Sequence, residues 1–173
     1  DDETWVEEIV KIARYAGSEI MEVYAHSDFG ITTKSDASPL TRADVAAHQI
    51  IEKGLNEIEP RLPILSEESD NIDFKVRGRW DAYWLVDPLD GTKEFIDRNG
   101  EFTVNIALII SGVSRLGVVY VPVRDQLFLG VQSTSPYASR SQGLQTPEVI
   151  RVAPVPSFEQ LTIVASRRHR NPE

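Results

Sequence analysis

Two aspartates, Asp87 and Asp90, stand three positions apart in the segment 84–96, which reads WLVDPLDGTKEFI. The apolar residues before them are typical of a buried strand, which would deliver both carboxylates into a turn that contains proline. Gly91 and Thr92 follow where a helix can begin, so we expect backbone N–H groups there without intrahelical acceptors. Carboxylates bind hard divalent cations, and N–H groups at a helix start bind anions. The segment therefore predicts adjacent sites for a metal ion and a phosphate.

Each acidic residue near this segment also has a simpler interpretation. Asp87 and Asp90 could only shape the turn, although Gly91 and Thr92 beside them favour a bound phosphate. Glu67 follows another short apolar strand, where an acidic loop exposed to solvent is the alternative. If both strands end at the same edge of a sheet, Glu67 lies beside the two aspartates. Three carboxylates at such short distances repel one another unless a cation lies between them.

Asp44 lies in the segment Thr41-Arg-Ala-Asp44, which matches a helix-capping box, and capping is the better explanation on these residues alone. The basic run 167–170, which contains His169, is either a solvated surface or a contact for a substrate anion. His26 and His48 have no metal-ligand spacing with any partner, and the sequence assigns them no role.

The periodicity of apolar residues predicts two amphipathic helices followed by a mainly antiparallel sheet. The helices are expected over 4–24 and from Thr41 until Pro60 stops the second one. The stretches 27–39 and 69–79 are polar, the latter a surface loop, and 133–146 is expected to be mobile. Strands are expected at 63–65, 83–86, 102–110, 116–121, 126–131, 149–152 and 161–165. The predicted fold class is α/β in the layered α+β sense, with two N-terminal helices packed on the sheet.

Composition limits the function classes. The chain has 173 residues, 41% of them hydrophobic, enough for one substantial core. A net charge of −9 disfavours binding of long nucleic acid. With no cysteine, no membrane-length apolar run and an acidic start, the sequence predicts a cytoplasmic protein without a membrane span. Peripheral association with an inner membrane stays open.

The segment 87–92, preceded by Trp84-Leu85-Val86 and by Leu65-Ser66-Glu67-Glu68, resembles the lithium-sensitive, magnesium-dependent phosphatases of the inositol monophosphatase superfamily. The residues 93–96 and 98–108 are more similar to its 3'(2'),5'-bisphosphate nucleotidase branch than to inositol phosphatases, whose motif usually has a second threonine and an asparagine there. The resemblance runs from the first helix to the end of the chain. It implies the sugar phosphatase fold of that superfamily.

The resemblance also implies roles for individual residues. Magnesium would be bound by the carboxylates of Glu67, Asp87 and Asp90 and by the backbone carbonyl of Leu89. Asp44, Thr92 and Glu67 would be catalytic, with the Thr92 hydroxyl and Asp44 orienting or deprotonating the attacking water. The implied substrate-binding residues are Glu67, Leu89, Asp90, Gly91, Thr92 and His169, of which Gly91 and Thr92 would hold the phosphate through backbone N–H groups.

The implied reaction is hydrolysis of the 3'-phosphate of adenosine 3',5'-bisphosphate to AMP and phosphate, extending to 3'-phosphoadenosine 5'-phosphosulfate. The alternatives are a phosphatase for inositol or another sugar monophosphate, and a noncatalytic fragment that binds metal or nucleotide. Relatives continue into a second α/β layer with a further metal-binding aspartate, which does not follow Ser166 here. We therefore expect an N-terminal α+β domain at 1–165 and the start of a C-terminal domain at 166–173. If these residues were the whole molecule, we expect weak metal binding, little activity and self-association through an exposed apolar sheet face.

Overall fold

A computed structural model describes residues 2–34, 39–69, 71–152 and 154. The helices are α1 (Asp2–Ala25), α2 (Arg42–Asn56), α3 (Phe74–Arg77) and α4 (Thr92–Ile96), with a 3₁₀ turn at Pro122–Arg124. The strands are β1 (Thr32–Thr33), β2 (Pro39–Leu40), β3 (Ile64–Ser66), β4 (Ala82–Asp90), β5 (Thr103–Ile110), β6 (Val113–Val121), β7 (Gln126–Val131), β8 (Tyr137–Gln142) and β9 (Glu148–Ile150). The strand expected at 161–165, the domain boundary at 165 and His169 lie outside the described residues.

The two long helices form as the apolar spacing predicts and pack against each other. In α1, the buried residues Ile9, Ala13 and Ile20 recur at helical intervals and form one stripe. Gly54 of α2 lies so close to α1 that a Cβ there would lie 2.6 Å from Ile12, so the close approach depends on glycine. α2 ends at Asn56, before Pro60, and is therefore shorter than expected.

Strands β3 to β9 form one seven-stranded sheet in which the spatial order equals the chain order. β3 and β4 are parallel, and every later neighbour in this sheet is antiparallel. Alternate residues of β5 and β6 are buried beneath the helices, among them Val104, Ile106 and Val118. This layered α+β arrangement confirms the predicted fold class.

The opposite face of the sheet is more open. Leu85 is 43% exposed and Val119 is 42% exposed. A groove of about 800 Å³ runs along this face, and Phe128 contributes to its apolar lining. Glu67 and Asp87 also line it, so the acidic residues of interest open onto the same face.

Four short elements, β1, β2, α3 and β8, lie where the sequence predicts loops or polar stretches. The stretch 133–146, expected to be mobile, contains β8, because pairing with β7 on one side and β9 on the other compensates for its weak strand propensity. The short hairpin of β1 and β2 lies in the stretch expected to be polar and irregular, and the short helix α3 lies in the expected surface loop. In the ranges that the structure describes, no helix combines the length and apolarity needed to cross a membrane.

Candidate active site

The parallel pairing of β3 and β4 brings the acidic residues of two separate segments together. Ser66 pairs with Val86, and the backbone N–H of Glu67 continues this ladder by donating to the Val86 carbonyl at 3.1 Å. Glu67 therefore leaves its strand beside Asp87. The shared sheet edge expected from the sequence exists, although the two strands lie about twenty residues apart in the chain.

Asp87 has the most perturbed carboxylate in this region. Burial, followed by the negative charges of Glu67 and Asp90, raises its pKa to about 7. A hydrogen bond to Glu67 acts in the same direction, while the backbone N–H of Leu89 opposes the rise. The Oδ1 atom of Asp87 is buried and has no hydrogen-bond partner in the described part of the chain. An orphaned carboxylate oxygen between two further acids is a position that a cation would satisfy.

The acidic residues do not enclose such a cation by themselves. Among residues 2–34, 39–69 and 71–152, no group of three or more Asp, Glu or His side chains has an arrangement that could hold a metal ion. Glu67 and Asp90 each bind another side chain through one carboxylate oxygen. The donor chemistry of the three carboxylates fits magnesium.

Lys34 is the group that binds Glu67. Its Nζ lies 3.0 Å from Glu67 Oε1 and 2.6 Å from Glu68 Oε1. Burial lowers the pKa of Lys34, but the hydrogen bonds to Glu68 and Glu67 outweigh this and leave it raised. Burial also raises the pKa of Glu68, against the effect of Lys34. The sequence analysis missed Lys34, since it lies 33 positions before Glu67 in a polar stretch without a motif.

Asn105 is the group that binds Asp90. It lies on β5 opposite Asp87, and its Nδ2 donates to Asp90 Oδ2 at 3.1 Å. Thr103 in turn donates to Asn105 Oδ1 at 3.1 Å, which fixes the orientation of the amide. The polar residue inside the apolar run 104–110 was an available signal that the sequence analysis did not use.

Asp44 combines the two interpretations that the sequence left open. Its Oδ2 accepts from the backbone N–H and the hydroxyl of Thr41, which completes the capping box of α2. Its Oδ1 accepts from the Thr92 hydroxyl at 3.0 Å. The side chain is fully buried. Whether the single Thr92 proton goes to Asp44 Oδ1 or to the Leu89 carbonyl, the lone pairs of that hydroxyl can accept a hydrogen bond from a further group.

The turn after β4 places Thr92 against Asp44 and requires glycine. Gly91 has φ +97°, and a Cβ there would lie 2.8 Å from the carbonyl oxygen of Glu101. Helix α4 starts at Thr92 and its first backbone hydrogen bond runs from the Phe95 N–H to the Gly91 carbonyl, so the Thr92 N–H precedes the intrahelical bonds. The Leu89 carbonyl, predicted as a metal ligand, lies 3.3 Å from the Thr92 hydroxyl.

His48, to which the sequence assigned no role, lies directly behind this site. Its Nδ1 lies 3.0 Å from Ser66 Oγ, and Ser66 precedes Glu67. Thus β3, β4, α2 and α4 bring Asp44, Glu67, Asp87 and Thr92 to one region, with Leu89, Asp90 and Gly91 in the connecting turn. His169 lies outside the described residues.

Comparison with known proteins gives consistent relationships. The model of the inositol monophosphatase family matches residues 1–173. The 3'(2'),5'-bisphosphate nucleotidase CysQ of Shigella flexneri is 52% identical over 124 residues, which are 71% of this chain and 50% of that protein. The protein of the same name from Buchnera aphidicola is 43% identical over 167 residues, 96% of this chain and 60% of that protein.

The structural comparison agrees. The crystal structure of CysQ from Bacteroides thetaiotaomicron, described as a bacterial member of the inositol monophosphatase family, superposes with a TM-score of 0.72 at 41% identity. The match covers 89% of this chain and 60% of that one. The chain thus spans about half to three fifths of the length of these relatives. By sequence and by structure, the chain belongs to the inositol monophosphatase family.

Proposed function

We propose that this chain forms the N-terminal part of a Mg²⁺-dependent phosphatase that removes the 3'-phosphate of adenosine 3',5'-bisphosphate, giving AMP and phosphate. The observation that carries the proposal is the buried, unpartnered Oδ1 of Asp87, beside Glu67 and preceding Thr92. The similarity to proteins named 3'(2'),5'-bisphosphate nucleotidase supports this substrate class, including 3'-phosphoadenosine 5'-phosphosulfate. The proposal includes the cytoplasmic localisation that the sequence predicts.

The residues that would hold magnesium are Glu67, Asp87, Asp90 and the Leu89 carbonyl. Bound Mg²⁺ supplies Lewis-acid chemistry, which lowers the pKa of a water molecule and offsets charge on the phosphate and the leaving oxygen. The contact of Glu67 with Lys34 and that of Asp90 with Asn105 each use one carboxylate oxygen.

The chain's own residues would prepare the attacking water on the other side of the site. The Thr92 hydroxyl donates to Asp44, so its oxygen can accept a hydrogen bond from the water and align it for attack. Asp44 is fixed by two hydrogen bonds from Thr41 and cannot turn away from Thr92. The N–H groups of Gly91 and Thr92 would hold the phosphate, which puts Asp44, Thr92 and Glu67 in the catalytic roles implied by the family resemblance.

The direct experiment measures phosphate release from adenosine 3',5'-bisphosphate with and without Mg²⁺, for the complete protein that contains this chain and for its Asp90→Asn variant. We expect Mg²⁺-dependent release that Asp90→Asn reduces by at least about 100-fold, since a metal ligand is lost. Asp81→Asn is the matched control, because Asp81 precedes β4 at its opposite end and binds Ser111. Undiminished turnover in Asp90→Asn would remove its assigned metal role.

Measurements on the same protein preparation distinguish two other functions from the proposed one. Turnover on myo-inositol monophosphate that exceeds turnover on the nucleotide would identify a sugar phosphatase. A noncatalytic domain that binds metal or nucleotide is favoured by one observation, namely that the acids in the described ranges do not enclose a metal. Calorimetric titration with Mg²⁺ and nucleotide would then show binding without hydrolysis.

A further inference from the structure

His48 and Ser66 form a contact immediately behind the turn that carries Glu67. Ser66 is buried, and its Oγ accepts from the backbone N–H of Glu68 at 3.3 Å. His48 Nδ1 lies 3.0 Å from the same Oγ, and its Nε2 lies 4.0 Å from Glu52 Oε2. The arrangement runs from the imidazole through Ser66 to the Glu68 backbone.

The Glu67–Glu68 turn depends on this hydroxyl for its shape. Glu67 is the first residue after β3, and its backbone N–H makes the last ladder contact with Val86. Beyond that contact, the Ser66 hydroxyl and carbonyl accept from the N–H groups of Glu68 and Ser69. Fixing the Ser66 hydroxyl therefore fixes the direction in which the Glu67 side chain leaves the sheet.

His48 also lies four positions after Asp44, on the same side of α2. One helix therefore contacts both parts of the site, since Asp44 binds Thr92 and His48 binds Ser66. The distance between the carboxylates and the threonine is then set by one rigid turn of helix. A polar residue at position 48 is otherwise unexpected on a face packed against the sheet.

We propose that His48 is a positioning residue, which holds the Glu67–Glu68 turn through the Ser66 hydroxyl and so aligns Glu67 with Asp87 for metal binding. The metal part of this inference rests on the proposed function. His48 itself touches neither metal nor substrate.

The test compares His48→Leu, which removes the hydrogen-bonding ring, with His48→Asn, whose side-chain amide can replace Nδ1 as donor or as acceptor. Ser66→Ala removes the hydroxyl, and His26→Leu is the control at an exposed histidine. Amide hydrogen exchange is measured by NMR in chelator, and the Mg²⁺ dissociation constant by calorimetry. His48→Leu and Ser66→Ala should speed exchange at Glu67 and Glu68 and weaken Mg²⁺ binding about 10-fold, the lower range for lost partners of metal ligands.

His48→Asn should remain within about 3-fold of wild type in both measurements, because it keeps the hydrogen bond. Exchange at Ala47 and Ile51 in α2 should stay unchanged, whereas a purely structural role would accelerate it together with the turn. Unchanged exchange at Glu67 and Glu68, or equal losses in His48→Asn and His48→Leu, would overturn the inference. If the wild-type chain does not bind Mg²⁺, the proposed function fails, and the exchange measurements alone then decide whether His48 holds the turn.

Discussion

Replacing Asp87 by Asn should stabilise the chain in metal-free buffer, although the residue is proposed to be essential for binding Mg²⁺. The folded-state pKa of Asp87 is about 7, against 3.8 for an ordinary aspartate. At a pH between these two values, the carboxyl group is protonated in the folded chain but ionised in the unfolded chain. Its effect on stability is therefore neutral below pH 4, becomes unfavourable as the pH rises toward 7, and is fully unfavourable above that.

The size of the effect follows from the shift and from the exposure of the group. A rise from 3.8 to about 7 sets an upper bound of ~4 kcal/mol at ~1.4 kcal/mol per unit. Asp87 is only partly buried, so solvent screening reduces the expected gain to ~2 kcal/mol at pH 8. Asn has no charge to lose, and its side-chain oxygen can still accept from the Leu89 N–H.

The assay is thermal unfolding in chelator at pH 4, 6 and 8. Asp87→Asn should match wild type at pH 4 and melt roughly 4–8 °C higher at pH 8, the shift that ~2 kcal/mol produces in a chain of this size. Adding Mg²⁺ at pH 8 should raise the melting temperature of wild type and leave that of Asp87→Asn nearly unchanged.

Asp81→Asn is the control for the loss of a negative charge, because it lies before the same strand and keeps an acceptor for Ser111. It should show no difference from wild type that grows with pH. The reasoning would be refuted if Asp87→Asn melted at or below the wild-type temperature at pH 8 in chelator. A gain of equal size at pH 4 would refute it too, since the carboxyl group is neutral there.

Three further predictions concern the turn after β4 and the open sheet face. Gly91→Ala should cost ~1–2 kcal/mol more in chemical denaturation than Gly112→Ala, because both glycines have positive φ but only at Gly91 does a Cβ meet backbone; equal costs would refute the clash. Thr92→Val should lower stability by ~1–3 kcal/mol, since buried Asp44 loses a donor, and should abolish any Mg²⁺-dependent phosphate release. If the chain self-associates through the sheet face, Val119→Lys should shift sedimentation toward monomer, whereas Val45→Lys on α2 should not.

The elements with strong local patterns were predictable from the sequence. The helical stripe of α1, the Thr41 cap of α2 and the strands β5 to β7, rich in valine, isoleucine and leucine, all follow from residue type and spacing. β8 did not, because its serines gain their strand conformation from pairing with β7 and β9. Two of these serines, Ser139 and Ser141, are buried, and Ser141 accepts from Arg14 of α1 at 3.3 Å.

The candidate site divides in the same way. The acidic motif and the shared sheet edge could be predicted, since parallel strands end at one edge. The contacts of Lys34, His48 and Asn105 could not, because each joins residues at least 15 positions apart without a shared motif. Asp44 shows why the alternatives stayed open in the sequence: one carboxylate has two oxygens, and here one caps a helix while the other binds Thr92.

Lys34 and the raised pKa of Asp87 are two consequences of one excess of negative charge. The ammonium group of Lys34 offsets the charge of Glu67, and the pKa of Asp87, raised to about 7, favours its neutral form below that pH. A divalent cation at this edge would compete with the proton on Asp87 and, where it takes Glu67 Oε1, with Lys34. Glu68, bound to the same ammonium at 2.6 Å, can keep Lys34 when Glu67 turns away. The paired glutamates thus give the lysine a second partner, which lowers the electrostatic cost of freeing Glu67 for a metal.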